Sequence, residues 1–455
     1  NQQKQESKSS ASELRGHLLY IAGGIIAVLG LIETNRKNSQ EHIRQVHAAR
    51  RDRYIEAVDK LSSKQASVRL GGVYALVGLV DEWLDDDNID KETRIKEGQI
   101  IINNLCSYIR SPFPLAEKIE EYEARKRLEE LKKKEPKSLS TMDSLQLMLL
   151  DERFTDTIDE KKIEQITAKY AKIQEEQDVR RTIFVEMSKR SSTFAKDKKG
   201  RVIYTLPGMW SDFDFDFSRA PIFYPLNAIT IEKGNFSSAK FYSKANFSKT
   251  TFAQSANFSN ATFTQSANFS NATFTQTAYF GGTTFTQDAD FSRATFTQYA
   301  IFLWATFTQD VDFIATTFTR NVDFIATTFT QDADFSRATF TKNTDFSRAT
   351  FTKDADFSKA TFTKDADFSG AIFTKNEPTF VRMNSFTRKK LRAQFSVHSA
   401  QEDYNFLVRS GSKPIPPGEA ELDGIKRQIP AGAVLFDPMS KKDQFGNYKQ
   451  SAPAK

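Results

Sequence analysis

Ala289-Asp290-Phe291-Ser292-Arg293-Ala294-Thr295-Phe296-Thr297-Gln298 is one unit of the repeat that decides the fold. Around it a phenylalanine recurs at alternating steps of five and six residues from Phe236 to Phe373. There are twenty-six of them without a slipped register, in the frame A-D/N-F-S-x-A-T-F-T-x-x. A fixed short period excludes one compact globular unit and predicts a solenoid, in which each repeat buries its apolar side by stacking on the next. Within the unit Ala and Phe alternate with polar residues, the period-two signature of short extended segments with one face buried. Phe291, Phe296, Phe335 and Phe340 are therefore assigned to the core together with the alanines. The polar set faces solvent, where Ser, Asn and Asp bond readily to backbone at corners.

The frame resembles the pentapeptide-repeat family, whose unit is A-D/N-L/F-x-x, over roughly residues 212 to 380. That resemblance implies a right-handed quadrilateral β-helix. One departure stands out: every second unit carries an additional residue, such as Asp288 or Asp310, so the period is eleven and not ten. Two geometries fit. Four Phe per coil give coils of about 22 residues rising about 4.8 Å each; two Phe per coil give a flat ribbon about twice as long. The resemblance favours the four-sided form.

The formal net charge of +6 invites a nucleic-acid reading, and the charge distribution answers it. Residues 233–376 hold 13 Lys/Arg against 12 Asp/Glu, a net of +1, and show no groove of exposed aromatics interleaved with cations. No nucleic-acid partner is expected. The single cysteine, Cys106, excludes an internal disulfide, and its apolar helical setting reads as an inert core thiol.

Gly16 to Ile32 runs 17 residues without a charge between Arg15 and Glu33. This is about the lower limit for a spanning helix, and it predicts a membrane anchor at 16–33 behind an N-terminal flank at 1–15. Arg36, Lys37, Arg44, Arg50, Arg51 and Arg53 follow the run. The positive-inside bias then places the bulk of the chain in the cytoplasm of a cell whose inner or plasma membrane holds the anchor. The same six cations are candidate contacts for anionic lipid headgroups.

A juxtamembrane and helical domain is expected over 34–195. Ser67-Val68-Arg69-Leu70-Gly71-Gly72-Val73-Tyr74-Ala75-Leu76 is similar to the helical element that precedes the repeats in membrane-anchored bacterial, especially actinobacterial, pentapeptide-repeat proteins. The glycines lack the G-K-S/T of a phosphate loop and read as close helix packing. Asp85-Asp86-Asp87-Asn88 lacks the spacing of a calcium loop and reads as a turn. Beyond Pro112 and Pro114, Glu117 to Lys134 predicts a charged, solvent-facing helix, and 160–192 a further one. Lys196 to Gly200 reads as a linker.

The β-helix is expected over 205–380, with Trp210, Phe213, Phe215 and Phe217 in an irregular first coil. A C-terminal cap and tail occupy 381–455. Met383 to Phe395 reads as a basic amphipathic cap helix, and residues 410–455 as extended or disordered chain with an added edge strand around Ile429–Phe436. The whole is an α+β multidomain chain.

The exceptions to the repeat point to a partner. Leu303, Ile314 and Ile325 stand where Ser follows the first Phe, with Tyr299, Ile301 and Trp304 close by in sequence. An outward apolar cluster of this kind suggests contact with another protein or with the chain's own helical region, and the partner expectation extends to further copies of the chain. His17, His42, His47 and His398 lie outside the repeat, and no catalytic, cofactor or metal constellation emerges. The expected function is a non-enzymatic, membrane-anchored scaffold. Two alternatives accompany it: a gyrase-binding DNA mimic, which the resemblance suggests but the net +1 repeat does not favour, and an ice-binding solenoid suggested by the Thr-Phe-Thr ladder.

Overall fold

The structure is a computed structural model, and it describes residues 41, 43–135, 138–154, 160–196, 202–444 and 446–455. The anchor at 16–33, with Arg36 and Lys37, lies outside the described residues. Among the described residues no helix is long and apolar enough to cross a membrane.

Among the described residues six α-helices precede the solenoid: α1 (43–61), α2 (Ala66–Leu84), α3 (Lys91–Arg110), α4 (Ile119–Lys133), α5 (Thr141–Arg153) and α6 (Glu160–Arg190). Asp90 starts α3 by accepting a hydrogen bond from the Thr93 N–H at 2.8 Å, the usual remedy for an unpaired first-turn donor. Val73, Leu76, Val77, Val80, Ile101, Ile102, Leu105, Ile109, Ile173, Val179 and Ile183 make the helical core. Gly72 permits the close approach of α1 and α2, since a Cβ there would stand 2.8 Å from the Ala57 carbonyl oxygen. The Asp85–Asn88 segment is a turn, in which Asp86 accepts the Asn88 N–H.

The solenoid settles the coil length. Strand pairing is parallel with a register of 22 residues throughout the regular repeat, as in Thr295 with Thr317 and Val311 with Ala333. Each coil has four faces, giving a β-solenoid of about 7 turns. In one coil face one is Ala300–Ile301, face two Thr306–Phe307, face three Val311–Asp312 and face four Thr317–Phe318. The corners alternate in kind. Those between faces one and two, and three and four, are tight turns such as Phe302 to Ala305, closed by the Ala305 N–H to the Phe302 oxygen at 2.9 Å. Their third residue is left-handed, so positive φ recurs every eleven residues at Lys249, Asn260, Asn271, Gly282, Arg293, Trp304 and onward. The other two corners hold the eleventh residue of each unit.

Four columns of phenylalanine fill the interior. Rings one coil apart stack nearly parallel, as Phe269 on Phe291 at 4.8 Å and Phe296 on Phe318 at 5.0 Å. Rings of facing columns meet edge to face, as Phe291 and Phe302 at 5.6 Å and 90°. Both are favoured quadrupole arrangements. Phe291, Phe296, Phe335 and Phe340 are all fully buried. Where Thr replaces an inward Ala its hydroxyl is satisfied: Thr316 and Thr327 donate to the oxygens of Phe291 and Phe302, each at 2.8 Å.

The N-terminal end is plugged by the helices. Phe184 of α6 lies 4.6 Å from Phe217, and Asp81 of α2 binds both Arg190 and the Trp210 indole N–H. Gly98 of α3 leaves room for Phe213, whose ring would clash with any side chain there.

The C-terminal cap is β, which corrects the expected helix at Met383 to Phe395. Val381–Met383 pairs antiparallel with Lys390–Arg392, and Gln394–Ser396 continues face four beneath Thr361–Phe362. Phe395 stacks on Phe362 at 4.9 Å. An unfinished column needs a ring below it, and this outweighs the helical pattern of the basic residues. The tail is likewise structured: Pro417–Leu422 and Ile425–Pro430 form a hairpin, and Val434–Phe436 adds the strand expected there, pairing with Gln394–Ser396. Thr193–Lys196 and Val202–Leu206 form a hairpin around the predicted linker.

Candidate interaction face of the solenoid

The outward position of face one reads, coil by coil, Asn257, Tyr279, Ile301, Asp323, Asp345 and Asp367. Asn or Asp belongs there because its Oδ1 accepts the backbone N–H two residues on, as Asn257 does for Ser259 and Asp345 for Ser347. Tyr279 and Ile301 give up that bond. At the adjoining tight corner Gly281, Leu303 and Ile325 share one column, and Gly282, Trp304 and Ala326 the next, tied by the Trp304 N–H to the Ile325 oxygen at 3.1 Å. Tyr299 occupies the eleventh position on the other side of the face. The result is one apolar patch over three coils, with Trp304 67% exposed, Tyr299 50% and Tyr279 38%.

Ile314 is not part of it. It lies at the corner between faces three and four, where its oxygen accepts the Arg293 N–H at 2.8 Å, diagonally across the coil. The structure thus divides the predicted cluster and adds Tyr279. Its signal in the sequence was legible: Tyr-Phe-Gly-Gly breaks the frame one 22-residue turn before Ile-Phe-Leu-Trp.

Trp304 is costly where it stands. Its φ is +57°, a region that disfavours side chains with a Cβ. Above it Gly282 also has positive φ, and a Cβ there would meet the Asn260 Oδ1 at 2.5 Å. Below it Ala326 offers one methyl, so the indole stands between two short neighbours.

Face three carries the densest charge, in two columns: Asp290, Asp312, Asp334 and Asp356 on the face, and Asp288, Asp310, Asp332 and Asp354 at the corner. Burial, reinforced by Asp334, Asp290, Asp310 and Asp288, pushes the Asp312 carboxyl up to about 6. Asp356 pairs with Arg382 at 2.9 Å. On face one, burial is again the larger cause of a raised Asp323, with Asp345 adding to it.

The threonine ladder is engaged in part. Thr264, Thr286, Thr297, Thr308 and Thr319 donate their hydroxyls to phenylalanine oxygens one coil back, at 2.9 to 3.1 Å, closing the wide corners.

Of the candidate headgroup cations, Arg50 is buried against Asp86 at 2.6 Å and over the Trp83 ring at 4.7 Å. Arg53 holds Glu82 at 2.5 Å. Arg44 is exposed, 3.9 Å from Glu41, and Arg51 is exposed. Cys106 is buried, and desolvation pushes its thiol up to about 12. His398 meets Asp437 at 2.7 Å; His17 and His42 lie outside the described residues. The sequence reading passed over α5, whose Met142, Leu145, Met148 and Leu149 are exposed. Arg127 and Arg153 of the α4–α5 pair hold Asp143 and Glu120.

A family profile described as pentapeptide repeats matches in nine copies, among them those at 236–284, 258–303, 269–317, 291–339, 305–350 and 335–376. The solenoid is a pentapeptide-repeat domain. Neither a curated protein nor a solved structure matches the chain. The matched segments span every residue of the face-one patch.

Proposed function

We propose that the chain is a non-enzymatic scaffold that docks a protein partner on face one of its pentapeptide-repeat solenoid. Pentapeptide-repeat proteins are in general structural or interaction proteins, and no catalytic family is indicated. The observation that carries the reading is convergence. Tyr279, Tyr299, Ile301, Leu303, Trp304 and Ile325 fall on face one and its flanking corners across three successive coils, while Ile314 stands apart at the opposite corner. A monomeric surface rarely keeps such a patch without use.

The proposal includes membrane attachment through residues 16–33, supported by the uncharged run and the basic flank after it. Photocrosslinking amino acids placed at Tyr299 and, separately, at Ile314 in the producing cell test the docking face. Adducts at 299 and none at 314 are expected; equal yields at both would sink it. Fractionation after carbonate extraction tests the anchor, with the chain expected in the membrane pellet.

The DNA-mimic alternative gains little here, since the basic Lys233–Lys249 stretch and the arginine corners interrupt any continuous acidic surface. The ice-binding alternative loses the hydroxyls already donated to backbone.

A further inference from the structure

We infer that the partner of face one is a basic segment, with lysine or arginine side chains that lie over Trp304 and run down the column Asp323, Asp345, Asp367. The inference rests on the docking reading above and deepens it. Three features of the same face point to cationic chemistry. First, the apolar patch does not end in neutral residues: directly below Ile301 the next three outward positions are Asp323, Asp345 and Asp367, in register on successive coils. Like charges repeated at about 4.8 Å repel one another, and among the described residues no ion pair reaches these three carboxylates, whereas Asp356 on face three has Arg382. A partner's cations relieve that repulsion.

Second, the exposed aromatic groups are Tyr279, Tyr299 and Trp304, whose faces attract ammonium and guanidinium groups. Trp304 is 67% exposed, with Gly282 before it and Ala326 after it in the column. Third, in the column of left-handed corner residues Asn260, Gly282, Trp304, Ala326, Arg348 and Gly370, Trp304 is the one aromatic. The partner therefore lies along the solenoid axis: an aliphatic side rests on Leu303, Ile325 and Ile301, and cationic side chains meet the ring and then the carboxylates. Arg320, Lys342 and Lys364 line the wide corner beside the acidic column and Arg348 lies at the tight corner, so the partner's cations meet the carboxylates along the column itself and not across a broad face.

The repeat itself supplies substitutions that keep the fold. Asn occupies the Asp323 position at 257, Gly the Trp304 position at 282, and Ser the Leu303 position at 259. The test titrates the full chain with two fluorescent amphipathic peptides of equal length, one leucine–lysine and one leucine–glutamate, followed by anisotropy. The leucine–lysine peptide is expected to bind, with affinity falling at least about tenfold in Asp323→Asn/Asp345→Asn and in Trp304→Gly/Leu303→Ser/Ile325→Ser. The leucine–glutamate peptide is expected not to bind. Comparable binding of both peptides, or an unchanged affinity in the Asn variant, overturns the cationic partner while leaving the docking face standing. An unchanged affinity in the Trp304 variant as well removes the docking face itself. Circular dichroism of each variant, expected to match the parent, separates these outcomes from misfolding.

Discussion

The Phe184 ring of α6 lies 4.6 Å from Phe217 and 6.3 Å, nearly parallel, from Phe236, so a helical side chain serves as the top rung of a β-solenoid column. A solenoid end otherwise leaves ring faces and backbone groups open to water. Phe184→Ala is predicted to destabilise the chain by about 3–5 kcal/mol, the usual range for a buried Phe. In chemical denaturation it should also split one transition into two, as the helices and the coils lose their shared core.

In the middle of the stack the same substitution should cost as much without splitting the transition. Phe313 is buried between Phe291 and Phe335, 4.9 Å from each. Phe313→Ala is predicted to cost about 3–5 kcal/mol, and Phe313→Leu, which keeps most of the volume, about 1.5 kcal/mol or less. Urea midpoints compare the two. Equal losses would mean that ring stacking, not filled volume, dominates.

Trp304→Gly has the opposite sign. Relief of the left-handed strain, about 1–2 kcal/mol, is offset in part by the greater freedom of glycine in the unfolded chain, about 0.4–1 kcal/mol. Thermal unfolding should therefore show a variant as stable as the parent or slightly more so, though impaired in docking. A loss of several degrees would show that the indole packs on its own coil.

Acidity should favour the fold through Asp312. Its carboxyl titrates near 6 in the folded chain, above the ordinary aspartate value of 3.8, so the folded state binds the proton more tightly. The destabilisation is complete above about pH 6 and is relieved as the pH falls from there toward 4. Asp312→Asn is predicted to raise the melting temperature at pH 7.5 and to have little effect near pH 4. Carboxylates held low, such as Asp216, which accepts hydrogen bonds from Ser218 and lies beside Arg110, act in the reverse sense, and their stabilisation is lost as the pH falls below the ordinary carboxylate range. The comparison of variant with parent isolates Asp312 from them.

Much of this was legible in the sequence, and the failures have physical reasons. The phenylalanine columns follow from the period alone, because a five–six alternation can bury every ring only by stacking. Coil size does not follow, since an eleven-residue unit closes equally well as one turn or half a turn. That ambiguity explains Ile314. It stands eleven residues from both Leu303 and Ile325, which in a 22-residue coil is the far corner, while Leu303 and Ile325 share a corner. The cap failed for another reason: Met383 to Phe395 occurs once, and its basic amphipathic pattern carries no trace of the ring that Phe362 needs beneath it. Nor did composition reveal that Arg50 and Arg53 are held by Asp86 and Glu82, because those ion pairs span helices distant in sequence.

The most direct test of the four-sided column is a pair of engineered disulfides. Ser347 and Ser369 occupy the same corner on successive coils, the Arg348 N–H donating to the Ser369 oxygen at 2.9 Å, whereas Ser336 and Ser347 lie at opposite corners. Neighbouring coils place α-carbons about 4.8 Å apart, within disulfide reach. Mild oxidation followed by non-reducing mass spectrometry should find Ser347→Cys/Ser369→Cys closed within one chain and Ser336→Cys/Ser347→Cys open. The reverse result would mean eleven-residue coils, with the phenylalanines in a flat ribbon and face one dispersed.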